Sequence, residues 1–112
     1  MSPRRLHTSA DVRAVFAARS LAHGSAMVVH ARSQRVPGTA RVTVVAGRKI
    51  GGAVRRNRAK RRLRAALQRA LVPDGLDVIV VAKLAALTMD FGSLTGQLDA
   101  LLAQVRHDRR VA

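Results

Sequence analysis

Residues 49–67, KIGGAVRRNRAKRRLRAAL, hold the side chains best suited to act on a partner. Arg55, Arg56, Arg58, Lys60, Arg61, Arg62 and Arg64 fall within ten positions, and no acidic residue lies among them. A solvated helix face normally mixes signs, because opposite charges at i, i+4 stabilise it and like charges cost a few tenths of about 1 kcal/mol per pair. Uncompensated charge on this scale calls for a polyanion. Guanidinium groups grip phosphate bidentately. Asn57, between Arg56 and Arg58, offers both donor and acceptor to a phosphate, a 2′-OH or a hydrated metal ion. The free N–H groups of a helix start add a further attraction for anions.

No other constellation suggests catalysis. The six aspartates are scattered. His7, His23, His30 and His107 have no HxxxH or HExxH spacing, so no metal site is expected in the protein. Gly47, Gly51 and Gly52 lack the spacing of a phosphate-binding loop. The absence of cysteine removes disulfides and thiolate ligands and fits a reducing cytoplasm, the expected location. Phe16 and Phe91 are the only aromatics, so binding should follow backbone and shape more than base stacking.

The rest of the chain agrees with a nucleic-acid partner. It has 21 Lys and Arg against 6 Asp, a formal net charge of +15. Fifteen cations and no acid lie between Asp11 and Asp74. Lipid is disfavoured: no apolar run approaches the roughly 20 residues that span a bilayer, and residues 51–62 offer only Ala53, Val54 and Ala59 against a membrane surface. With 112 residues, 48% of them hydrophobic, one folded domain is expected over 1–112, with flexible basic tails at 1–7 and 107–112.

These residues need elements to position them. Thr8 and Asp11 have capping-box spacing, and Val12, Val15 and Phe16 follow at helical spacing, predicting a helix over 9–19. Residues 26–32 and 39–47 read as strands, paired as a hairpin through the Pro-Gly turn at 35–39. Gly51 and Gly52 precede a helix over 53–71 whose apolar stripe is Ala59, Leu63, Ala66, Leu67, Ala70 and Leu71. Because the stripe begins late, the first turns should overhang the core. Arg58, Arg61, Arg62 and Arg69 face away from it. Residues 76–83 form a nearly continuous apolar run, a central strand covered on both faces. Asp90 or Thr88 then caps a last helix with Phe91, Leu94, Leu98, Leu101, Leu102 and Val105 inward. The predicted fold is a small α+β, or α/β, two-layer sandwich of three to four strands and about three helices.

At residues 41–67 the sequence resembles the bacterial ribonuclease P protein family. The match lies in Arg48-Lys49, Ile50-Gly51 and Arg56-Asn57-Arg58-Ala59-Lys60-Arg61, with Arg64 one turn on, and the order of elements extends it over most of the chain. The resemblance implies a fold like the second domain of ribosomal protein S5, with a mixed sheet and a left-handed βαβ crossover. It implies a non-catalytic subunit of an endoribonuclease whose catalytic RNA removes the 5′ leader of precursor tRNA. Mg²⁺ would be bound mainly by that RNA, with no cofactor intrinsic to the protein and one protein per RNA. It assigns Arg48, Lys49, Arg55, Arg56, Asn57, Arg58, Lys60, Arg61 and Arg64 to the catalytic RNA. Val12, Phe16 and His30 fall at positions of a leader cleft where the family commonly has aromatics; only Phe16 keeps one, so leader contacts here should be weaker in stacking and lean on Arg32 and Arg41. Gly52 replaces a frequent Asn, and Arg62 replaces an apolar residue and should snorkel outward or extend the RNA surface. The rival readings are a ribosomal or general RNA-packing protein without precursor selectivity, and a small DNA-binding module with residues 53–67 in the major groove.

Overall fold

The computed structural model describes residues 4–6, 8–18 and 20–111, with 106–111 described by backbone alone; residues 1–3, 7 and 112, parts of the expected tails, lie outside the described residues. In chain order the elements are β1 (Arg4–Arg5), α1 (Ser9–Ala17), β2 (Ser20–His23), β3 (Met27–Ser33), β4 (Arg41–Val45), α2 (Ala53–Arg69), β5 (Leu76–Ala82) and α3 (Phe91–Val111). Short 3-10 turns occupy Arg48–Ile50 and Leu84–Leu87.

The five strands form one mixed sheet in the order β1-β4-β5-β3-β2. β5 runs parallel to β4 and antiparallel to β3, so it separates the two strands expected to form a hairpin. The physical reason lies in β5 itself. Its residues are buried on both faces apart from a half-buried Val81, and only a central position covers them so fully. The 34–40 loop consequently arches past the start of β5. Gln34 donates to the Thr39 carbonyl at 3.0 Å and accepts from the Gly38 N–H at 2.8 Å, while the Gly75 N–H donates to the Gly38 carbonyl at 2.8 Å. Five strands are one more than the three to four expected. β2 makes the hairpin with β3, and residues 4–6, expected in a flexible arm, lie along β4 with Leu6 buried.

Strand alternation divides the interior. Val29, Val42, Val44, Leu76, Val78 and Val80 point to one face, where α2 and α3 cover them with Leu63, Leu67, Leu94 and Leu98 among others. Ile79 points to the other face and packs with Leu6 and Val15, flanked by Val12, Val45 and Val81. α1 covers this second face only in part.

α2 ends at Arg69, two residues earlier than its pattern suggests. Ala70 turns extended, and Leu71 leaves the stripe to stand 93% exposed. Arg62 corrects a second expectation. It neither snorkels outward nor joins a free cationic surface: its guanidinium donates to the Ala86 carbonyl at 2.9 Å and to the Met89 carbonyl. The Ala86 carbonyl lies in the Leu84–Leu87 turn and the Met89 carbonyl just after it, so Arg62 fastens α2 to this turn. Arg62→Ala should lower unfolding free energy by about 1–3 kcal/mol, read by urea denaturation. Arg62→Lys should restore only part of it, because an ammonium lacks the planar fork.

Candidate nucleic-acid interface

The cationic end of α2 stands clear of the core. No residue from Ala53 to Arg58 is buried; Ala59 is the first. The chain reaches this end through the buried Ile50 and through Gly51, whose φ of 124° is closed to ordinary side chains. A Cβ at Gly51 would also stand 2.9 Å from the Arg55 Cδ. Gly52 is the N-cap and supplies no capping side chain, so no acid or cap opposes the positive helix start.

Arg48, Lys49, Arg55, Asn57, Arg58, Arg61 and Arg64 are exposed, and Arg56 and Lys60 half-buried. Among the described residues, none of these cations lies within ion-pair distance of a carboxylate; every ion pair found involves Arg32 or Arg41. The structure therefore places Arg48 and Lys49 on the turn before α2, Arg55, Arg56, Asn57 and Arg58 on its protruding end, and Lys60, Arg61 and Arg64 farther along the packed part of the same helix.

The five expected cleft residues meet on the opposite face of the sheet. Cross-strand register aligns Arg32, Asp77 and Arg41 in one row and His30, Ile79 and Thr43 in the next. Phe16 is 41% exposed, so it is not plain core. Its ring meets His30 edge-on, with centroids 4.8 Å apart. Burial, together with the nearby His23 charge, holds His30 below the ordinary imidazole value, which favours the neutral ring. Its Nδ1 is buried without a hydrogen-bond partner. Val12 packs beside Leu6, Val15 and Ile79.

Arg32 and Arg41 reach this face, but carboxylates hold both. Arg41 grips Asp77 through Nε at 2.8 Å and Nη2 at 2.7 Å and donates to Asp11 at 3.0 Å; Arg32 donates to Asp77 at 3.0 Å. Gln34 adds a fourth donor to Asp77 at 3.0 Å. Asp77 is wholly buried. Burial pushes its carboxyl up, but the hydrogen bonds from Arg41, Gln34 and Arg32 outweigh this and hold it below 3.8. Asp11 is also lowered, chiefly by the Thr8 hydroxyl, which donates at 2.6 Å, while Asp11 N–H returns a bond to Thr8 at 3.2 Å. Asp77 is the site-organising residue that motif reading missed. Its only signal was a lone charge inside the run LDVIVVA.

The ribonuclease P family model matches residues 1–106. The chain belongs to the ribonuclease P protein family. Similar curated proteins are the ribonuclease P protein components of Symbiobacterium thermophilum, 44% identical over 101 residues and covering 87% of this chain and 86% of the relative, and of Acidothermus cellulolyticus, 35% identical over 105 residues and covering 90% and 87%. Among solved structures, the ribonuclease P protein of Thermotoga maritima superposes with a TM-score of 0.75 at 26% identity, over 89% of this chain and 96% of that one. The Staphylococcus aureus protein shares the fold, with a TM-score of 0.73 at 22% identity over 91% and 94%. Membership of the ribonuclease P family carries a part in tRNA 5′ processing. Among the described residues, no three His, Asp or Glu side chains gather as a metal site, and no helix is long and apolar enough to cross a membrane.

Proposed function

We propose that this chain is the RNA-binding subunit of a cytoplasmic ribonuclease P, bound as one protein per catalytic RNA. It assists that RNA in the Mg²⁺-dependent removal of the 5′ leader from precursor tRNA. The ion supplies its chemistry on the RNA, and the protein supplies position and charge. The observation that carries this reading is the separation of two residue groups onto opposite faces of the sheet. Cations without ion-pair partners among the described residues project from α2, while Phe16 and Val12 of α1 gather with His30 on the other face of the sheet.

The α2 end meets phosphates of the catalytic RNA through Arg48, Lys49, Arg55, Arg56, Arg58, Lys60, Arg61 and Arg64, with Asn57 hydrogen-bonding between them. The cleft takes the single-stranded leader, whose bases have π-faces to lay on Phe16 and His30. Arg32 and Arg41 line this cleft as an ion-paired and locally neutral group, so they orient leader phosphates more than they attract them.

Phe16→Ala tests the division. One lost base–aromatic contact is worth about 1–3 kcal/mol, so precursor tRNA with a leader should bind roughly 5- to 150-fold more weakly. Catalytic-RNA affinity and thermal unfolding should hold, because the ring is partly exposed and belongs to neither core cluster. Equal losses for both RNAs would contradict a separate leader cleft.

A further inference from the structure

Apart from Arg64, neither surface described so far uses the channel between α2 and the outer edge of β4. β1 accompanies β4 only as far as the pairs Arg4–Arg41 and Arg5–Val42, so the Val44 end of the edge has no neighbouring strand among the described residues. Beside it lies an open groove of about 640 Å³. Val42, Val44 and Leu67 make an apolar floor, and Arg5, Arg64 and Gln68 stand along its sides, with no carboxylate among the lining residues.

The groove continues the cationic helix. Positions 56, 60, 64 and 68 repeat every four residues, about 6 Å of rise each, so Arg56, Lys60, Arg64 and Gln68 form one ridge. The ridge leads from the protruding end of α2 into the groove, whose lining also includes Arg5 of β1. Guanidiniums flanking an apolar floor suit a nucleic-acid strand, with phosphates at the rim and a ribose or base against Val42, Val44 and Leu67. Gln68 adds a donor and an acceptor for a 2′-OH or a base edge.

We propose that this groove holds a strand of the catalytic RNA, extending the α2 interface around the edge of the sheet and away from the leader cleft. The proposal rests on the RNA-subunit reading above. Continuity with the α2 ridge selects the catalytic RNA over the precursor, because the cleft lies on the other face.

The chain has no cysteine, so a single introduced thiol can carry an iron–EDTA probe. Gln68→Cys places the probe in the groove, and Val54→Cys places it at the 82% exposed Val54 near Arg56 and Arg58. Each full-length protein is bound to a bacterial ribonuclease P RNA with precursor tRNA present, and strand cleavage is mapped on both RNAs. The proposal expects both probes to cut the catalytic RNA, each in its own stretch. Cutting from position 54 but not 68, or cutting of the precursor alone from 68, would overturn it. Silence from both positions would overturn the RNA-subunit reading itself. Gln68→Glu, which sets a carboxylate against the strand at an exposed helical position, should weaken association with the catalytic RNA about tenfold at 0.1 M salt. Thermal unfolding should be unchanged. Wild-type affinity in that variant would also overturn the groove.

Discussion

Replacing Arg56 and Arg58 together by alanine should weaken association with the catalytic RNA about 100-fold. Two charge-assisted contacts at about 1.5 kcal/mol each give roughly 3 kcal/mol, and each tenfold in affinity is about 1.4 kcal/mol. The salt dependence should fall as well, by about one unit of slope for each phosphate contact removed. Folding should survive, because no residue of α2 before Ala59 is buried and neither guanidinium has an ion-pair partner among the described residues. Repulsion among neighbouring cations would even ease slightly. Binding titrations between 0.05 and 0.3 M salt, spanning the range in which such contacts are strongly screened, give both numbers. An unchanged slope would remove both arginines from the interface.

Asp77→Ala should act on stability instead. Removing the wholly buried carboxylate leaves Arg41, Arg32 and Gln34 without their common acceptor. Loss of one partner in such a network costs about 3–5 kcal/mol, lowered here toward the bottom of that range because both arginines keep some exposure to water. The pH dependence has a definite sign. Asp77 titrates below its ordinary 3.8 in the fold, so its contribution is fully present above that value and fades as pH falls through the lower folded one. Asp11 moves in the same direction. Wild-type protein should therefore lose stability steeply below about pH 4, and Asp77→Ala should show a shallower decline from a lower plateau. Urea midpoints from pH 3 to pH 7 would show both.

Periodicity made much of this molecule readable, and non-local pairing hid the rest. The late start of the α2 stripe announced the overhanging cationic end, and the Thr8–Asp11 spacing announced the cap on α1. The double-sided burial of β5 was legible as a nearly continuous apolar run. That run carried no mark of its neighbours, so the local Pro-Gly signal suggested a hairpin that the insertion of β5 precludes. β1 and β2 are two and four residues long, too short to show a period. Arg62 looked like one more free cation, because the carbonyls it meets lie 24 and 27 residues away. Asp77 could be noticed but not interpreted, since its partners come from two other strands and a loop. The nine residues of the cationic set were legible together because they all fall within residues 48–64. The cleft residues, spread from position 12 to position 41, needed the family resemblance to be grouped.

As proposed, this protein gives a catalytic RNA a leader-dependent advantage on precursor tRNA. The most direct test is cleavage by a bacterial ribonuclease P RNA at low Mg²⁺, with and without the protein, on substrates with long and absent leaders. Rescue of cleavage that grows with the leader is the predicted result. Equal stimulation of both substrates, matched by any comparably basic protein, would contradict the account and leave a general RNA binder.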